Sequence, residues 1–234
     1  MKILALDSSA VAASVALCED GELLGEYTVR NQNTHSQTLL PMIESMLSFF
    51  ELGTDDVELF AASSGPGSFT GVRIGAATVK GLAFGTQKPC IGVSTLEALA
   101  YNLIGNNGLI CPVMNARRKQ VYTALFRCQD GQMTRLLPDS ALAITELDAL
   151  LEQYGDEPIY LCGDGYDLTV EFLTHPIRKT PERLRHQSAY SVAQVALNAY
   201  RDGVRTDDCE MAPTYLRPSQ AERERLVREK KAQS

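Results

Sequence analysis

The residues able to do chemistry in this 234-residue chain cluster just after its predicted strands. Asp7-Ser8-Ser9 follows the apolar run Lys2 to Leu6 and supplies one carboxylate and two hydroxyls. Asn115-Ala116-Arg117 follows a second such run, where an amide cannot lend a divalent ion the negative charge it favours. Asp164, within Cys162-Gly163-Asp164-Gly165, is a third candidate to face a cleft, although Asp-Gly is first of all turn chemistry. Metal-dependent phosphoryl transfer usually needs more acid than this. His35, His175 and His186 contain no pair at the i, i+3 or i, i+4 spacing of helical metal sites, so no metal ligand set is expected.

The most distinctive passage is GPGSFTGVRIG, Gly65 to Gly75. It follows a predicted strand and opens a predicted helix, a setting where free backbone N–H groups and the helix dipole can hold an anion. Its spacing fits neither the P-loop nor the dinucleotide fingerprint, and it lacks the GxSxG register of a serine nucleophile. The plainer reading is a tight turn with Ser68 or Thr70 capping the helix. Arg117, Arg118 and Lys119 fall at a predicted hairpin tip, where a solvated loop competes with a phosphate or RNA contact.

The elements that must position these residues can be read from hydrophobic period. Strands are expected at Lys2–Leu6, Ser14–Cys18 and Glu22–Val29, the latter two joined by an Asp20-Gly21 turn. Leu39, Met42, Ile43, Met46, Leu47 and Phe50 mark a helix, with Pro41 in its first turn or kinking it. A strand at 57–64, a helix at 72–85, a strand at 89–93 and a helix at 95–104 follow. The second half repeats that order. Strands are expected at 110–114, 120–127 and 133–137, then a helix capped by Thr145 and ended by Gly155, a strand at 158–163 and a helix at 188–200. Three antiparallel strands leading into alternating units predict an α/β protein with mixed sheets flanked by helices. Two such lobes, 1–106 and 107–218, match the two-lobed actin-like, ribonuclease-H-like class; a charged tail, 219–234, carries a Glu224–Arg228 helix pair.

Composition narrows the function. Hydrophobic content of 44% and charged content of 22% describe a globular chain. A net charge of −7 argues against gripping nucleic acid unaided. No run has the length of a signal peptide core or a membrane span, and six scattered cysteines without a CxxC pair read as reduced thiols. A soluble, cytoplasmic protein is expected.

The helix after the glycine loop is unusual in carrying Gly71, Gly75, Gly81 and Gly85, since each interior glycine costs about 1 kcal/mol relative to alanine. Close approach of another helix would offset that cost. The expected contact residues are Leu39, Met42, Ile43 and Met46 on the earlier helix, and Val72, Arg73, Gly75, Ala76, Val79 and Lys80 on this one. Gly75→Leu or Ala76→Arg is then expected to abolish association without unfolding the lobe.

MKILALDSSAVAASVAL, THSQTLLPMI, GPGSFTGVRIG, GVSTLEALA, ARRKQVYTALF and APTYLR together resemble the TsaB (YeaZ) family, from Met1 to about Pro218. The resemblance implies an actin-like subunit of the tRNA threonylcarbamoyladenosine machinery without catalytic activity of its own. It implies a heterodimer with TsaD, the paralogue that carries the metal site, to which the ATPase TsaE is added. It also implies a homodimer through the same helical surface, tRNA contact only through the complex, and no membrane. No cofactor is required by this reading, with ATP or ADP a candidate occupant of the inter-subunit interface. Many relatives have Asp-Ala-Arg where this chain has Asn115-Ala116-Arg117, which weakens any case for metal-dependent hydrolysis in a cleft built from Asp7, Ser8, Ser9, Asn115 and Asp164. The alternative is a stand-alone nucleotide-dependent transferase or hydrolase using Asp7 and Ser9. A peptidase has neither a zinc pair nor a nucleophile motif to rest on.

Overall fold

Asp20 and Gly21 take φ of 53° and 95°, the left-handed pair that a two-residue hairpin turn requires. They fold β2 (Ala13–Glu19) onto β3 (Glu22–Val29), and β2 also pairs antiparallel with β1 (Lys2–Asp7). β1 runs parallel to β4 (Leu59–Gly65), and β4 parallel to β5 (Cys90–Ser94), in the order β3-β2-β1-β4-β5. The central strands are apolar on both faces because both faces are covered. This computed structural model describes residues 1–30 and 34–217, so the expected tail pair Glu224–Arg228 lies outside the described residues.

The second sheet repeats the plan. β6 (Gly108–Asn115), β7 (Gln120–Gln129) and β8 (Gln132–Ala143) form an antiparallel meander, and β9 (Ile159–Cys162) lies parallel to β6. The order is β8-β7-β6-β9, the first sheet's order without its fifth strand. Two mixed sheets with this shared connectivity and flanking helices are the actin-like, ribonuclease-H-like architecture expected from the sequence. β8 continues through Pro138, which an edge strand tolerates.

α1 (His35–Phe49) and α2 (Phe69–Thr86) cover one face of the first sheet. There Leu39, Met42, Ile43, Met46, Ala76 and Val79 close over Leu4, Leu6, Val15 and Leu17. α3 (Thr95–Tyr101) stands between the sheets, with Ala98 facing Ile3 and Ala5, and Leu96 and Leu99 facing Ile110 and Phe126. α4 (Ile144–Leu151) and α5 (Tyr166–Phe172) cover the far face of the second sheet.

Several local expectations are corrected. Helix α1 starts at His35, so Pro41 lies in its second turn and leaves the Gln37 carbonyl without a helical N–H partner. Thr145 is inside α4; the cap position is Ala143, whose N–H donates to the Glu146 carboxylate at 2.8 Å. α5 is an element that the Asp164-Gly165 turn had concealed.

The largest correction concerns α6 (Ala189–Arg201), expected to finish the second lobe. It crosses back and packs Val192, Val195 and Ala196 onto the small residues Ala5, Ala16 and Ala61 of the first sheet. Glu26 of β3 fixes its start. One carboxylate oxygen accepts from the Ser188 hydroxyl at 2.8 Å, the Tyr190 N–H at 3.1 Å and the Ser14 hydroxyl at 3.0 Å. A carboxylate at a helix N-terminus is favourable on both charge and hydrogen-bonding grounds.

Candidate functional site: an inter-lobe cleft and an outer helical face

A cleft of about 530 Å³ separates the lobes. Its first-lobe wall is the turn after β1, from Ser9 to Val11, and the loop Pro66–Thr70 at the start of α2. Its second-lobe wall is the end of β6, from Met114 to Arg117, with Tyr122 and Asp164. The structure thus brings Ser9, Asn115 and Asp164 together, as the sequence suggested. It withholds Asp7 and Ser8.

Asp7 is 1% exposed and is not part of the cleft wall. One carboxylate oxygen accepts from the Ser9 N–H at 2.8 Å and the Ser9 hydroxyl at 2.7 Å; the other accepts from the Ser63 hydroxyl. Burial pushes its carboxyl above the ordinary range, with the bonds from Ser63 and Ser9 opposing that shift. Asp7 therefore ties β1 to β4 and does not present an acid to a ligand. The buried Ser8 hydroxyl donates to the Gly71 carbonyl at 2.9 Å, joining β1 to α2.

On the second lobe, the Asn115 side-chain oxygen accepts the Arg117 N–H at 2.8 Å. The chain then passes through Arg117, Arg118 and Lys119 at φ of 64°, 55° and 56°. Three successive left-handed residues without glycine are costly, at roughly 1 kcal/mol each. Arg117 lines the cleft, whereas the Lys119 ammonium lies 4.2 Å from the Phe172 ring centroid and is turned to its own lobe. Asp164 accepts the Asn115 N–H at 3.1 Å, and loss of hydration pushes its carboxyl upward. Among the described residues it is the one carboxylate lining the cleft. The donors there (the first amides of α2, Arg117 and Arg217) suit an anion better than a metal ion. A cluster of Asp207, Asp208 and Cys209 lies outside the cleft, on the surface.

One cleft component had no signal in spacing or period. Met211 to Arg217 forms a strap across both lobes. The Thr214 N–H donates to the Ser64 carbonyl at 2.7 Å, and Gly65, at φ 116°, has no room for a Cβ, which would sit 2.4 Å from the Thr214 carbonyl oxygen. Tyr215 stacks on Phe69 at 4.4 Å, and Arg73 covers Phe69 at 3.9 Å while its Nε donates to the Tyr215 hydroxyl at 2.7 Å. Arg217 donates across to the Ala116 carbonyl at 3.4 Å. Only APTYLR hinted at this segment, and it carried no role.

The outer face of α1 and α2 differs from the one expected. Leu39, Met42, Ile43 and Met46 are buried, as are Val72, Gly75, Ala76 and Val79. They pack within the lobe. A Cβ on Gly75 would sit 2.6 Å from the Ser8 hydroxyl oxygen, and Lys80 donates to the Met211 carbonyl at 3.1 Å. The other two glycines behave differently: among the described residues, a Cβ on Gly81 or Gly85 meets nothing within 4 Å. With Ala77 they form an exposed stripe at i, i+4 and i+8, beside Phe84, which is 65% exposed. On α1, Leu40 and the 75%-exposed Phe49 are also open.

Comparison with known proteins gives this architecture its relatives. A family model described as TsaD, tRNA N6-adenosine threonylcarbamoyltransferase, matches residues 29–225. The tRNA threonylcarbamoyladenosine biosynthesis protein TsaB of Haemophilus influenzae is 41% identical over 225 residues, covering 93% of this chain and 94% of that protein. The TsaB protein of Bacillus subtilis is 34% identical over 168 residues, covering 72% and 73%. The solved structure of YeaZ from Pseudomonas aeruginosa superposes with a TM-score of 0.81 at 28% identity, over 92% of this chain and 99% of that one. No helix among the described residues is long and apolar enough to cross a membrane. The chain belongs to the TsaB (YeaZ) family, whose named members are tRNA threonylcarbamoyladenosine biosynthesis proteins.

Proposed function

We propose that this chain is a non-catalytic scaffold subunit of the tRNA threonylcarbamoyladenosine machinery. It binds and stabilises TsaD through the outer face of α1 and α2, helps to recruit TsaE, and meets tRNA only through the complex. The same face supports self-association into a homodimer. An adenine nucleotide, where one is present, occupies the composite interface and is not turned over by this chain.

The observation that carries this reading is the pair Gly81 and Gly85. Each costs about 1 kcal/mol of helix stability relative to alanine, and no packing among the described residues requires either. Small residues flanked by exposed Phe84, Phe49 and Leu40 suit the close approach of a second helix. The sealed state of Asp7 adds support, because it removes the acid on which a stand-alone hydrolase would depend.

Gly81→Arg and Phe84→Glu, both at exposed positions, test the surface. Size-exclusion profiles with TsaD should lose the heterodimer peak while the melting curve of the isolated chain is retained. The chain alone with ATP and magnesium should show no turnover above background. Sustained hydrolysis that disappears in Asp7→Asn would overturn the scaffold reading in favour of an independent enzyme.

A further inference from the structure

A second cavity, of about 360 Å³, lies beside the main cleft and shares Ala10, Val11 and Asp164 with it. Its remaining walls include Arg30 at the end of β3 and Arg185, His186 and Gln187 on the segment leading into α6. One buried donor among them is unpaired. Gln187 is 4% exposed, and its side-chain Nε2 has no partner among the described residues. An unsatisfied buried amide costs about 1–3 kcal/mol, so a group that accepts from it is worth seeking.

Two arginines line the same cavity. Arg185 is held in one orientation: its Nε donates to the Thr180 carbonyl at 2.8 Å, and its guanidinium lies 3.6 Å from the Tyr166 ring centroid. Asp167 already faces it at 3.5 Å. Arg30 has no carboxylate within ion-pair distance among the described residues, and the His186 ring makes no hydrogen bond among them. On the acidic side, Asp164 accepts the Asn115 N–H, and Glu182 is exposed. Arg30, Gln187 Nε2 and the His186 ring are thus lining groups without a partner among the described residues, beside three lining carboxylates, Asp164, Asp167 and Glu182.

We propose that this cavity binds a small oxyanion, a carboxylate or phosphoryl group, with Arg30 and Gln187 as its principal donors and Arg185 as a pre-oriented cation. Planar guanidinium groups match the oxygen geometry of either group. The source of the oxyanion is either a free small anion or the phosphate of a nucleotide that extends from the main cleft through the shared wall at Asp164. This inference does not rest on the scaffold reading, because it concerns the chain alone.

Calorimetric titration of the full chain at constant ionic strength, with inorganic phosphate, acetate and AMP as probes, decides it. Phosphate or acetate should bind, and Arg30→Ala and Gln187→Leu should each weaken binding about tenfold, the loss expected for a hydrogen bond to a charged group. Arg118→Ala, at an exposed position lining neither cavity, should leave binding unchanged. AMP binding more tightly than phosphate identifies a nucleotide as the source; AMP binding no more tightly identifies a free anion. Absence of binding by phosphate and acetate alike, or equal losses in Arg30→Ala and Arg118→Ala, would overturn the proposal. Should Gln187→Leu fail to fold, the exposed Arg30 variant still decides.

Discussion

Gly71 and Ser8 lock the glycine-loop helix onto the first strand. The Ser8 hydroxyl donates to the Gly71 carbonyl at 2.9 Å, and a Cβ on Gly71 would lie 2.0 Å from the Ser8 carbonyl oxygen. The loop's glycines thus serve contact with β1 before any contact with a ligand. The same geometry divides the four glycines of α2 into an inner pair, Gly71 and Gly75, and an outer pair, Gly81 and Gly85.

Substitutions should separate the two pairs. Gly71→Ala must displace backbone and is expected to destabilise the chain by about 3 kcal/mol or more. Gly81→Ala should instead stabilise the isolated chain by about 0.5–1 kcal/mol, through helix propensity, while weakening its association with TsaD. Urea unfolding of the two variants checks the first difference, and sedimentation with TsaD the second.

Asp7 should leave a signature in the pH dependence of stability. Its folded carboxyl is raised above the ordinary value of 3.8, chiefly by burial. A group raised on folding contributes stability that is full below its unfolded pKa and is lost as pH rises through the folded value. Asp7→Asn removes that titration and keeps an acceptor for Ser9. The stability of the variant relative to the native chain should therefore improve as pH rises from about 3 to 7. Asp7→Ala leaves the Ser9 and Ser63 donors unpaired and should cost about 3 kcal/mol at neutral pH. Urea titrations at several pH values would show the contrast, and a flat Asn-minus-native difference would contradict it.

The strap should loosen when its ring stack is removed. Tyr215→Ala deletes the Phe69 stack and the acceptor of Arg73. Aromatic and cation–π contacts of this kind contribute about 1–2 kcal/mol. The Thr214 amide, bonded to Ser64, should then exchange its hydrogen about tenfold faster, with amides in β1 unaffected.

The cysteines should divide sharply in reactivity. Burial pushes Cys18 and Cys111 up to about 12 and Cys90 up to about 11, whereas Cys209 is exposed. A colorimetric thiol reagent should label Cys209 in the folded chain and reach the other five only after denaturant is added.

The legible part of the fold was local. Alternating and 3.6-residue patterns placed the first meander, β6, β7, α1, α2 and α6 within a few residues of their observed bounds, because a strand or helix with one buried face must write that face into its own residues; β8, expected at 133–137, runs on to Ala143. The same logic could not tell a lobe's own packing from a partner surface. Leu39, Met42 and Val79 are apolar because something covers them, but period does not say whether the cover is the lobe's own sheet or another chain. Likewise the stripe of Val192, Val195 and Ala196 declared a buried face without declaring which sheet it would meet.

Apart from α5, the order of the strands and helices, the Asp20-Gly21 hairpin turn and the family could all be read from the residues alone. These depend on residues close together in the chain or on motifs matched one by one. Long-range packing alone set that Asp7 is sealed, that α6 returns to the first sheet, that Gly81 and Gly85 are the open glycines of α2 among the described residues, and that Arg30 and Gln187 share a cavity. Each of those facts depends on distances between segments far apart in sequence. Such distances are set by how all the apolar faces are buried together, a condition that no single segment records.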